Sequence, residues 1–197
     1  MKNSISILAF ILLWNYSNSQ TIKPLSSIYK HVTYDYEVYY KDTNNYFTPF
    51  LGDWKYVDGN KTFIATLWKV PKSPSTNSYG VTYYTDDIYG TYKMVQDYGL
   101  PSEQTIYTSI KYVPGAAQQR VTVIVADAAY NNELTGKISD VAGPYDPNYY
   151  MGVEAFLNMT INAGSSPLTA QWKVSPDEGL GQPNTITIPS SVVLTKM

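Results

Sequence analysis

The chain has 197 residues, a formal charge of −2 from 14 Lys and Arg against 16 Asp and Glu, one His and no Cys. The missing cysteine rules out disulfides and thiol chemistry, and the lack of a basic face argues against nucleic acid or anionic lipid as a partner.

The first 19 residues read as a cleavable secretory signal peptide. Lys2 supplies a short positive start, Ile5 to Trp14 is apolar apart from Ser6, and Asn15-Tyr16-Ser17-Asn18-Ser19 is polar with small residues at 17 and 19. The apolar core is too short for a membrane span, which needs about 20 residues. Cleavage is predicted between Ser19 and Gln20. No Cys follows for lipid attachment, so the expected product is secreted or periplasmic with no membrane anchor. About 178 residues would then remain, enough for one domain with a sizeable core.

Residues 20–45 form an N-terminal segment with one predicted strand. Val32, Tyr34, Tyr36, Val38 and Tyr40 alternate with Thr33, Asp35 and Glu37, the period-two pattern of a half-buried strand. Residues 46–197 are assigned to the main domain. It opens with Phe50 to Val57, then Asp58-Gly59-Asn60, then Lys61 to Val70, and the Asp-Gly pair predicts a hairpin. Pro71 and Pro74, set among Ser73, Ser75, Asn77 and Ser78, predict a loop. Further strands are predicted over 80–84, 90–95, 104–113, 119–126, 152–162, 168–174, 184–188 and 192–196, separated by Gly, Pro and Asx clusters. Ala126 to Leu134 is the one stretch that suggests a short helix. Many short strands between regular turn signals indicate an all-β sandwich or barrel. Tyrosine is the compositional outlier, 20 residues against four Trp and five Phe. Its spread along the chain favours β-propensity over a clustered aromatic surface.

Gly52-Asp53-Trp54, on the first strand of the main domain, resembles the Gly-x-Trp signature of lipocalins and the broader calycins. A longer set of blocks is similar to a family of secreted, lipocalin-like proteins of unknown function from Bacteroidetes-type bacteria. It comprises Asp42-Thr43-Asn44-Asn45, Phe50 to Tyr56, Asp58 to Phe63, Leu67-Trp68-Lys69, Tyr83-Tyr84, Asp87 to Tyr92 and the tail from Ile188-Pro189 to Lys196. The resemblance implies a single antiparallel up-and-down β-barrel of lipocalin or calycin type, with Gly52 and Trp54 as structural signature and Trp54 closing one end. It implies no activity. Lipocalins usually place an Arg late in the chain over that Trp. The only Arg here, Arg120, is mid-chain, which leaves Lys173 or Lys196 for the role.

The residues suggest no catalytic constellation. His31 is the only histidine, in a segment before the first clear strand, so a Ser-His-Asp triad or a His-based zinc site would have to use it. Asp86 and Asp87 are adjacent, so on a strand they would face opposite sides and in a turn they could converge. Asp53, Asp177, Glu178, Asp140 and Asp146 read as turn or surface carboxylates, with no fixed-spacing calcium loop among them. No glycine cluster precedes a helix. The expectation is a non-catalytic protein with no cofactor and no metal. Its best reading is a barrel that holds a small apolar or aromatic ligand, lined by Trp54, Tyr56, Phe63, Leu67 and Trp172. The alternative is a structural or surface-interaction protein with a filled core that contacts sugar or protein through exposed tyrosines. Whether the interior is open or filled separates the two.

Overall fold

The computed structural model describes residues 20–30, 37–110, 123–130, 132–142, 152–178 and 185–197. The Asp58-Gly59-Asn60 turn forms where its composition predicts it. β3 (Gly52–Asp58) and β4 (Lys61–Thr76) run antiparallel with Asp58 opposite Lys61, so Gly59 and Asn60 make a two-residue loop. Gly59 takes a φ of 59°, a left-handed value that glycine adopts without steric cost. Before β3 come two three-residue strands, β1 (Ile22–Pro24) and β2 (Tyr39–Lys41), and one 3-10 turn at Leu25–Lys30.

After β4 the chain continues as β5 (Thr82–Gln96), β6 (Gln104–Thr108), β7 (Ile124–Tyr130), β8 (Glu133–Asp140), β9 (Val153–Asn162), β10 (Thr169–Pro176) and β11 (Ser191–Lys196). Leaving out β6, the strands from β3 to β11 form an antiparallel meander, and β11 returns to β3 through Thr195–Lys55 and Lys196–Trp54. The circuit is an eight-stranded, closed, up-and-down barrel. Its narrowest seams are β11–β3, with those two pairs, and β5–β7, with pairs only from Ile88–Ala126 to Gly90–Ile124. One edge of β5 is shared along its length. β2 pairs with it in parallel at Tyr84 and Thr85, β7 takes 88–90, and β6 takes the end near Gln96.

Two glycines allow close packing around β7 and β5, Gly136 where β8 lies against β7 and Gly90 where β5 lies against β4 and Ile124. A Cβ on Gly90 would lie 2.6 Å from the Leu67 side chain and 2.8 Å from the Thr66 carbonyl oxygen; one on Gly136 would lie 2.3 Å from the Val125 carbonyl oxygen. At both positions neighbouring backbone or core atoms come closer than any side chain permits.

Alternate residues of each strand point inward, and they fill the barrel. Trp54, Phe63, Ala65, Leu67, Ile88, Ile124, Leu134, Ile138, Leu157, Met159, Trp172 and Leu194 are each at most 2% exposed. Burying a large apolar side chain contributes roughly 1.5–3 kcal/mol, so this central layer is a major source of the fold's apolar stabilisation. The interior is therefore packed rather than hollow through its middle.

Four sequence expectations change. Ala126–Leu134 is not a helix but the end of β7, a turn and the start of β8. Ala126 and Ala128 are small lumen-facing residues, and cross-strand pairing overrides alanine's helix preference. Pro71 and Pro74 lie inside β4, not in a loop. Beyond Leu67, β4 pairs only with β5, so a proline can turn its donorless nitrogen to the free edge. A bulge between Val70 and Ser73, with Lys72 at φ 54°, absorbs the irregularity. The described part of 184–188 is a bend rather than a strand. β8 was not expected, because Gly136 and Lys137 interrupt its apolar alternation. Residues 31–36, which hold His31 and most of the predicted first strand, lie outside the described residues, as do the leader, Arg120 and Asp146.

Candidate functional site

The barrel has two differently built ends. At the first, residues 42–51 cross the opening. Gly52 then enters β3 with a φ of 106°, which only glycine adopts readily. Phe47 and Phe50 are buried. The Trp54 indole Nε1 donates to the Phe50 carbonyl oxygen at 2.7 Å. Lys196 lies over the Trp54 ring, with Nζ 5.4 Å from the centroid, and donates to the Pro49 carbonyl oxygen at 2.8 Å. Of the two lysines that could replace the lipocalin Arg, Lys196 has the place. Burial lowers the Lys196 ammonium below its usual range.

Beside Trp54 this end holds a buried polar network. Asp86 is fully buried. Its Oδ2 pairs with Lys69 Nζ at 2.8 Å and accepts the Asp42 N–H at 3.0 Å. Its Oδ1 accepts the Tyr39 hydroxyl and the Lys72 N–H. Asp42, also buried, accepts the N–H groups of Tyr46 and Phe47 and lies 3.6 Å from Lys69 Nζ. Burial alone would raise the Asp86 carboxyl, but the hydrogen bonds from Lys69, Tyr39 and Asp42, with the Lys69 charge, bring it below the usual range. Burial and the bond to Asp86 push the Tyr39 phenol up to about 12. Each oxygen of the two carboxylates is engaged by the chain itself, so the network holds the N-terminal segment against the barrel.

The other end, where β3 turns into β4, opens into a cavity of about 630 Å³. Tyr56, Met94, Ile106, Tyr107, Pro189 and Val192 supply most of its wall, with Asp58 and Lys61 from the β3–β4 hairpin, Ala142 and Thr187. Asp140, buried at the end of β8, ties two parts of this wall together. It accepts the Ala142 N–H at 2.9 Å on Oδ1 and the Thr187 N–H on Oδ2. Tyr92 donates to the Ser139 carbonyl oxygen at 3.0 Å and accepts the Val141 N–H at 2.8 Å. An aromatic chain runs from the core to the cavity: Trp172 to Phe63 at 5.8 Å, Phe63 to Tyr92 at 5.8 Å, and Tyr92 to Tyr107 edge-on at 6.2 Å. The Tyr107 hydroxyl is buried and has no hydrogen-bond partner. Burial, then the charge of Asp140, pushes its phenol up to about 12.

Of the residues expected to line a ligand site, only Tyr56 reaches the cavity. Trp54, Phe63, Leu67 and Trp172 are packed in the filled middle, and the Trp172 Nε1 donates to the Pro189 carbonyl oxygen at 3.0 Å. Sequence reading missed Met94, Ile106, Tyr107 and Val192, which come from β5, β6 and β11. Met94, Tyr107 and Val192 carried no signal but the parity of their strands, which has meaning only once neighbours are known, and Ile106, at the irregularity in the β5–β6 pairing, carried not even that. The carboxylate pairs do not converge on a cleft. Asp86 faces the buried network, while Asp87 accepts the Thr85 hydroxyl at 2.9 Å on the opposite face. Asp53 accepts the Thr66 hydroxyl, and Asp177 pairs with Lys137 at 3.3 Å. Among the described residues, no three His, Cys, Asp or Glu are grouped to hold a metal ion.

No curated protein and no solved structure matches the chain. The model of a family of unknown function, DUF6705, matches residues 1–197, and the chain belongs to that family.

Proposed function

We propose that this is an exported, non-catalytic, lipocalin-like protein of a Bacteroidetes-type bacterium that binds a small apolar or aromatic molecule at the open end of its barrel. One observation carries the reading: the barrel is filled through its middle, and a cavity of about 630 Å³ lies at one end. That volume falls in the usual range of small-molecule sites, and its wall combines apolar side chains with a few polar groups. Export is supported by the order of charge, apolar core and small residues in the first 19 positions. The exposed-tyrosine alternative has less support. Among the described residues, the exposed tyrosines are Tyr79 and Tyr98, beyond opposite ends of β5.

The test is titration of the pure mature protein with the neutral fluorescent probe N-phenylnaphthylamine, alongside a Val192→Trp variant that fills the cavity. Saturable binding by the wild type and loss of most of it in the variant are expected. Binding that does not saturate, or that the variant leaves intact, defeats the reading.

A further inference from the structure

At the open end, Asp58 on β3 and Lys61 on β4 stand directly opposite each other at the tip of the hairpin, and both line the cavity. We infer that the cavity takes an amphiphile with a zwitterionic head of the α-amino acid type. Its ammonium lies at Asp58, its carboxylate at Lys61, and its apolar or aromatic body against Tyr56, Met94, Ile106 and Val192. This inference rests on the open-end binding site proposed above and names the chemistry of its ligand.

Three features of the site support it. The first is the layering of this end. Tyr56, Phe63 and Met94 lie side by side on the inward face of β3, β4 and β5. The next row toward the hairpin tips is Asp58, Lys61 and Gln96, with Gln104 of β6 beside Gln96. Phe63 belongs to the filled core, Tyr56 and Met94 to the cavity wall, and Asp58 and Lys61 are exposed at its rim. A molecule entering from solvent meets charge first and apolar surface deeper in, which orients an amphiphile with its head outward.

The second feature is that the two rim charges are neighbours without being joined. Residues opposite each other on paired strands hold their Cβ atoms about 4.5–5.5 Å apart, yet among the described residues no ion pair links the Asp58 and Lys61 side chains to each other or to a third group. The carboxylate stays open to a cation and the ammonium to an anion. An α-amino acid fixes both on one carbon, so one such head reaches both side chains. The third feature is sign. A ligand with a single charge gains at one of these residues and loses at the other, whereas a zwitterion laid across them gains at both. Both rim groups are exposed, so the head stays hydrated as it binds, and screening keeps each pairing weak. The head sets selectivity, and the apolar body supplies most of the affinity.

The experiment displaces N-phenylnaphthylamine from the mature protein at low salt with three competitors that share a biphenyl body. Biphenylalanine carries the zwitterionic head, biphenylethylamine the ammonium alone and biphenylpropanoate the carboxylate alone. The amino acid is expected to compete about fivefold more tightly than either of the others. Its advantage over the amine should disappear in Lys61→Gln, and its advantage over the acid in Asp58→Asn, with competition constants corrected for each variant's own probe affinity. Both substitutions fall at exposed positions, so the fold should tolerate them. The amine or the acid competing as well as the amino acid in the wild type, or an advantage that survives the matching substitution, overturns the inference. Probe binding that none of the three displaces overturns it too, while leaving the open-end site standing. Failure of the wild type to bind the probe removes both.

Discussion

At the end of the barrel that holds Trp54, both oxygens of the Asp86 carboxylate are engaged, by Lys69, Tyr39 and two backbone N–H groups. At the opposite end the Tyr107 hydroxyl is equally hidden from solvent and bonded to nothing. Both ends carry tyrosine, aspartate and lysine on a β-barrel frame. They differ in what the chain does next to them. Residues 42–51 cross the first end and bring backbone donors to Asp42 and Asp86. At the second end the wall segments are tied back by Asp140 and leave a cavity between them. A buried polar group that the chain satisfies adds rigidity, whereas one left unpaired, as the hydroxyls of Tyr107 and of Tyr40 on β2 are, costs stability.

The largest test of that contrast is Asp86→Ala. It would leave Lys69, the Tyr39 hydroxyl and two N–H groups without their acceptor. Removing one partner of a buried ion pair costs about 3–5 kcal/mol. A clear fall in the urea midpoint is expected, and a change under about 1 kcal/mol would show that the closed end is not the stabilising one.

The pH dependence of stability sharpens the same contrast. The Asp86 carboxyl is lowered in the folded state, so the folded chain binds fewer protons there than the unfolded chain. Its contribution is full above about pH 4 and is lost as pH falls through the folded value. Asp87 acts with the opposite sign. Burial first, with hydrogen bonds from Thr85 and Ser73 only partly opposing it, raises its carboxyl. It costs stability at neutral pH, and protonation relieves that cost. The phenols of Tyr39 and Tyr107 are raised to about 12, and burial pushes that of Tyr92 up as well. Their contribution is full below about pH 10 and is lost as pH climbs through the folded values. Denaturation midpoints across pH should show an acid limb set by the closed end and an alkaline limb shared by both ends. An acid limb unchanged in Asp86→Asn would refute that assignment.

The smallest effect is expected at the mouth. Tyr107→Phe removes a hydroxyl that makes no bond in the fold, so stability should hold or rise by up to about 1 kcal/mol. A loss larger than that, read from the same urea midpoints, would mean that the hydroxyl already serves the fold and that the two ends are alike.

Part of this molecule was legible in its sequence because some signals are local. Asp58-Gly59-Asn60 marks a turn through the backbone freedom of one residue. Gly52-x-Trp54 marks a strand entry that needs a positive φ and a large buried ring. The alternation in 152–162 and 192–196 matches β9 and β11 closely. Pro71 and Pro74 misled because proline forbids only the hydrogen bond on its own side, and which side is open depends on where β3 ends. Ala126–Leu134 misled because alanine fits a helix or a crowded barrel lumen equally well. The site was least legible. Tyr56 was reached from the inward parity of Trp54, but Met94, Ile106, Tyr107 and Val192 meet only when β5, β6 and β11 are brought to one end of the barrel.

The sequence by itself determined an all-β chain with one hairpin at Asp58-Gly59-Asn60, a Trp54 built for burial and no thiol chemistry. Composition, turn residues and period-two patterning act over a few neighbouring positions. Only the tertiary structure decided that the barrel is filled in the middle, that Lys196 rather than Lys173 covers Trp54, and that Asp86 is satisfied while the Tyr107 hydroxyl is not. Those outcomes depend on groups distant in the chain: Lys196 reaches the Pro49 carbonyl, and Asp140 reaches the Thr187 N–H. Whether a buried polar atom finds its partner is settled by how the whole chain closes, and no local pattern encodes it.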